Sequence, residues 1–154
     1  MNKIYFLMVL VLVLLVAGGA VYYFWPQAVV DPGMLLIQNY EKQMRADTYG
    51  GKTPEETLKL FIEALKKEDV ELASKYFILD DNGSREKWVV RLNELKEKKL
   101  LLTMAEDIEK DAKPAKPVYE GDAGFELFNN DGTVGVLIDM ELNKYSGVWK
   151  IENF

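Results

Sequence analysis

From Ile4 to Trp25 the chain runs 22 residues without a charged side chain. Wound as an α-helix at about 1.5 Å per residue, that run reaches about 33 Å, enough to cross a hydrocarbon core of roughly 30 Å. The sequence therefore predicts a transmembrane anchor over residues 1–25, with membrane lipid as its partner through residues 4–25. Tyr5 and Phe6 near one end, and Tyr22, Tyr23, Phe24 and Trp25 at the other, are side chains that settle at headgroup level, and Pro26 ends helical character. Lys3 on one flank, against Asp31 and no basic residue before Lys42 on the other, predicts a cytoplasmic N-terminus and an extracytoplasmic remainder. The competing expectation is a secreted protein, cleaved after Ala20 in the small-residue stretch Ala17-Gly18-Gly19-Ala20.

What remains is the size of one domain with one core. Beyond Lys3 it holds 18 basic against 25 acidic residues. That balance repels phosphate backbones, and the densest basic run, Lys96-Glu97-Lys98-Lys99, is broken by a carboxylate, so nucleic acid is not an expected partner. The chain contains no cysteine and no histidine. Disulfides, thiolate nucleophiles, Ser-His-Asp and Cys-His catalysis, and Cys or His metal sites are all excluded by composition. No metal and no cofactor is expected.

Residues 26–52 read as a juxtamembrane linker with a short helix. Asp31-Pro32 supplies its start, and Met34, Leu35, Leu36, Ile37, Tyr40 and Met44 form a partly one-sided apolar stripe. Tyr49-Gly50-Gly51 breaks the pattern and sets the expected boundary of the α+β domain at residues 53–154. Thr53-Pro54-Glu55-Glu56 is a capping box with proline at the first helical position, followed by Leu58, Phe61, Ile62 and Leu65 at helical spacing. Asp69 caps a second helix carrying Val70, Leu72, Ala73, Tyr76 and Phe77, and Ser84 caps a third carrying Trp88, Val89, Leu92 and Leu95. A further short helix is expected over Leu100 to Lys110, before the prolines at 114 and 117.

The period then changes from helical to alternating. Phe125 to Phe128, Thr133 to Leu142 and Val148 to Phe154 read as an antiparallel meander joined by turns at Asn129-Asn130-Asp131-Gly132 and Asn143 to Gly147. Whether the segment around Val118 to Gly121 adds a strand is left open. Val134, Val136, Ile138, Met140 and Leu142 alternate with Asp139, Glu141 and Asn143, which predicts one core face and one wet face. Helices first and antiparallel strands afterwards define an α+β class.

This order resembles the nuclear transport factor 2-like superfamily, especially small bacterial membrane-anchored envelope domains of unassigned function. The resemblance is carried by Thr53-Pro54-Glu55-Glu56-Thr57 with Phe61, by Leu65-Lys66-Lys67-Glu68-Asp69, by Tyr76-Phe77 and by Gly147-Val148-Trp149-Lys150-Ile151. It implies a cone: a curved antiparallel sheet wrapped on one long and two shorter helices. The resemblance implies a pocket that in different members binds small apolar molecules, catalyses isomerisation or dehydration, or serves only as a protein contact, so fold does not decide function. Catalytic members of that kind use a pocket Asp, or an Asp/His pair, with a tyrosine. Here only an Asp/Tyr version is compatible, and no numbered positions map onto it.

Asp139 and Glu141 are two apart on one strand face, where paired carboxylates can serve as acid and base, or can be the solvated side of a half-buried strand cross-paired with Lys150. The Asp80 to Gly83 and Asn129 to Gly132 segments resemble calcium loops but lack the oxygen ligands and the closing glutamate of an EF-hand, and read as turns. Asn82-Gly83-Ser84 fits a glycosylation sequon. Tyr76, Trp88, Phe125, Met140 and Trp149 are the candidate lining of a ligand pocket, and equally a candidate core. No catalytic residue is assigned. The expected function is that of a non-enzymatic module contacting protein, another envelope protein for instance. The alternative is a small apolar ligand-binding protein, or a cyclase- or isomerase-like enzyme using a buried carboxylate.

Overall fold

A computed structural model describes residues 3–24, 31–80, 83–116 and 122–154. The chain divides into two compact units, the first closing at Leu35 and the second comprising Leu36–Phe154. In the first, helical backbone α1 covers Lys3–Phe24. Among the described residues, however, no helix is long and apolar enough to cross a membrane. The expected transmembrane anchor over residues 1–25 is corrected accordingly, and the membrane and extracytoplasmic placements built on it lose their structural basis. The expected helix end at Trp25-Pro26, the sequon at Asn82 and the open strand at Val118 to Gly121 lie outside the described residues.

Helix α2 (Pro32–Ala46) begins where the Asp31 carboxylate accepts from the Gly33 amide at 2.9 Å. Of its apolar stripe only Met44 is buried; Leu36 and Ile37 remain exposed. In α3 (Pro54–Lys66) the Thr53 hydroxyl accepts from the Glu56 amide at 3.2 Å, as the capping box predicts. The Glu56 carboxylate reaches one residue further back than expected, to the Lys52 amide at 2.6 Å. Asp69 caps α4 (Val70–Ser74) through the Leu72 amide. Ser84 accepts from Glu86 at 3.0 Å, just ahead of α5 (Glu86–Glu97), which ends at Lys99 in a left-handed conformation with φ 57°. Helix α6 (Leu101–Asp111) follows at once.

The strands are β1 (Lys113–Pro114), β2 (Asp122–Phe128), β3 (Val134–Asn143) and β4 (Val148–Asn153), antiparallel and in sequence order. The class is thus α+β, with a four-stranded antiparallel sheet. The sequence reading missed β1 because Pro114 lacks an amide to donate; it is accommodated because β1 is an edge strand. Leu58, Phe61, Leu65, Leu92, Leu101 and Ile108 from the helices close on Phe125, Ile138, Met140 and Ile151 of the sheet. At the centre the Phe77 ring lies edge-on to Phe61 at 5.4 Å and stacks on Trp88 at 4.1 Å, which in turn stacks on Phe154 at 5.5 Å.

Residues 44–51 are not a free linker but pack on the sheet within the Leu36–Phe154 unit. The Trp149 amide donates to the Gly51 carbonyl at 3.0 Å, and Asn143, 1% exposed, donates to the Met44 carbonyl at 2.9 Å. Gly50 has φ 141°, and a side chain there would run into the Trp149 carbonyl. Thr57 completes the seam: its hydroxyl accepts from the Gly51 amide at 2.8 Å and donates to the Trp149 carbonyl at 3.0 Å. Thr57→Val keeps the shape but leaves that buried amide without its acceptor. The variant is expected to lose about 1–3 kcal/mol, read as a lower urea midpoint with an unchanged slope; an unchanged midpoint would show that water replaces the hydroxyl.

Candidate functional site

Two features stand out from the packed core: a buried cluster of three charges and an open apolar groove. The cluster centres on Asp47, 7% exposed, in the turn after α2. Lys150 on β4 is fully buried and donates to one Asp47 oxygen at 2.6 Å and to the Lys75 carbonyl at 2.7 Å. The Arg85 guanidinium pairs with the other Asp47 oxygen and donates through Nε to the Phe77 carbonyl at 2.6 Å. Three chain segments distant in sequence meet on one carboxylate. The register places Lys150 opposite Glu141, as the cross-strand expectation requires, yet its ammonium goes to Asp47. A buried charge is tolerated only with a close counter-charge and satisfied donors, and Asp47 with the Lys75 carbonyl supplies both.

Burial pushes the Lys150 ammonium down to about 8, and Arg85 adds to the depression, while Asp47 opposes it. Burial likewise lowers Arg85 from its ordinary value, again against Asp47. With the folded pKa of Lys150 below its unfolded value, the unfolded chain binds more protons between about pH 8 and 10.5. Stability attributable to this group therefore rises with pH across that window. Lys150→Met removes the titration, and comparison of urea midpoints at pH 7 and 9.5 should show wild type gaining on the variant, by at most about 1.4 kcal/mol per pH unit. A constant difference would contradict the depressed value. Removing the anion is more damaging: Asp47→Asn leaves two buried cations without compensation and is expected to cost about 3–5 kcal/mol in chemical denaturation.

The cluster does not have the form of a catalytic site. Both Asp47 oxygens are engaged by cations, so this buried carboxylate is not presented to a substrate as a base. Burial, with Glu63 adding to it, raises the Tyr76 phenol above its ordinary value. Among the described residues, no group of His, Cys, Asp or Glu side chains could hold a metal ion.

The groove lies where the sheet outreaches the helices. Alternation puts Val134, Val136, Ile138 and Met140 on one face, but α3 to α6 bury only Ile138 and Met140; Val134 and Val136 stay 49% and 41% exposed. A register shift between Leu127 and Phe128 breaks the β2–β3 ladder beside them. The resulting groove measures about 360 Å³, floored by Leu127, Val136 and Ile138, walled by Leu95, Leu100, Met104 and Ile108, and closed at one end by Phe154. Its polar groups are Arg91, Thr103 and Asp107.

None of the five pocket candidates lines this groove. Tyr76, Trp88, Phe125 and Met140 are buried in the core and Trp149 packs partly buried against it. Trp88 also borders a polar hollow with Glu86, Arg91 and Glu94, and Phe125 borders a cleft with Leu58 and Ile62. Asp139 and Glu141 are half-buried on the other sheet face. The groove residues were individually visible as apolar helix or strand positions; nothing local signalled that the helical layer stops short of Val136. No protein-family model, no curated protein and no solved structure matches the chain.

Proposed function

We propose that the Leu36–Phe154 unit is a non-enzymatic binding domain whose groove takes up a small, mostly apolar molecule. The observation that carries this reading is the groove itself: about 360 Å³ of open space, within the 300–1,000 Å³ typical of small-molecule sites. Its apolar floor and three polar rim groups have the composition such sites share, with few polar atoms to orient a ligand. The lack of histidine and cysteine, and the engagement of both Asp47 oxygens, argue for binding without turnover. The resemblance to nuclear transport factor 2-like domains belongs to the same proposal: helices preceding an antiparallel sheet with a hollow between the layers.

A second reading, a contact site for an apolar side chain of another protein, is favoured by the exposed Leu100 and Val136 of the groove lining. Both readings place the occupant on Val136. The test is a titration of the full chain with the neutral fluorescent probe N-phenyl-1-naphthylamine, wild type against Val136→Trp. Because Val136 is exposed, an indole there fills the groove without displacing core, so the melting temperature should hold while probe affinity falls about tenfold or more. Equal binding by both chains would show that the probe sits elsewhere and would remove the small-molecule reading.

A further inference from the structure

We infer that the groove's occupant is an anionic amphiphile, its apolar body on Val136 and Ile138 and its carboxylate held by Arg91. This rests on the groove being a binding site and adds the chemical class of what it binds. Arg91 stands at the rim with its guanidinium 5.3 Å above the Phe154 ring. Among the described residues it forms no ion pair, whereas the other two arginines, Arg45 and Arg85, each reach a carboxylate. Phe154 is itself held by stacking on Trp88 and by contact with Phe61. The guanidinium thus rests over an aromatic face, a position that leaves N–H groups at its edge for an anion.

A planar fork with free edges is suited to bidentate carboxylate recognition. It sits beside the apolar floor, so one molecule with a tail and an anionic head satisfies both at once. Thr103 and Asp107 line the groove without an aromatic support of this kind. The Asp107 carboxylate on α6, and Glu94 on α5 beyond Arg91, oppose an anion, so the affinity is set by Arg91 against them. Asp107 also defines the alternative occupant, a cationic amphiphile.

The test follows the methyl resonances of Val136, Ile138, Leu127 and Leu100 in the full chain during titration with decanoate, decanol and decylamine. These methyls report the groove alone, whatever α1 binds. Decanoate should saturate about tenfold or more tighter than decanol. Arg91→Gln should bring decanoate to the level of decanol, Arg91→Lys should fall between, and Asp107→Asn should tighten decanoate. Arg91 is exposed, and unchanged core resonances would confirm that the variants fold. Decanol or decylamine binding as tightly as decanoate, or decanoate binding undiminished by Arg91→Gln, would overturn the assignment while leaving the groove as a binding site. If none of the three moves these methyls, the binding-domain reading itself falls.

Discussion

The pairing of Asp47 with Lys150 and Arg85 is the constraint around which the rest of the domain is organised. One carboxylate fixes the turn after α2, the approach to α5 and the last strand, segments 38 and 103 residues from it in sequence. Backbone bonds from Trp149 to Gly51 and from Asn143 to Met44 lie along the same seam. Without the anion, Lys150 would be an unpaired cation in the interior, so the seam and the core stand or fall together. A cluster of this kind adds little net stability over apolar side chains of the same volume. What it contributes is register, because a buried ammonium accepts only one position of its partner.

How much of this was legible depended on the range of the interaction. The α3 capping box, the Asp69 cap, the meander and its turns are written in residues three to five apart, and the structure places all of them. Ser84 reads as the cap but lies one residue early; β1 escapes the sequence pattern because its proline reads as a breaker. The chain around Asp47 reads as linker because its significance lies in Lys150, and no periodicity links two residues across the whole domain. Lys150 itself looks like a solvent-facing position between Trp149 and Ile151. The alternation along β3 marks out a face, but alternation does not say how far the helices extend over it. That unread quantity is what opens the groove. The anchor expected over residues 1–25 rests on the uncharged run alone, and among the described residues no helix is long and apolar enough to cross a membrane.

The aromatic candidates and the groove together show how the domain divides its apolar material. Phe61, Phe77 and Trp88 fill the space between helices and sheet, and the hollow lies at the Val136 end of β3. Phe154 belongs to both regions, stacking inward on Trp88 and lying outward under Arg91. A change at Phe154 would therefore be felt by the core and by the groove, whereas Val136 touches the groove without supporting the core.

The two sides of the sheet also restrict the geometry of any partner. On β4 the outer backbone is engaged, with Ile151 exchanging hydrogen bonds with Tyr76 and Ile78. On the opposite side β1 is two residues long and one of them is Pro114, which offers no donor. Among the described residues, the β4 margin is therefore not a template for an added strand. Among the described residues, pairing of one copy with another through the β4 margin is thereby disfavoured.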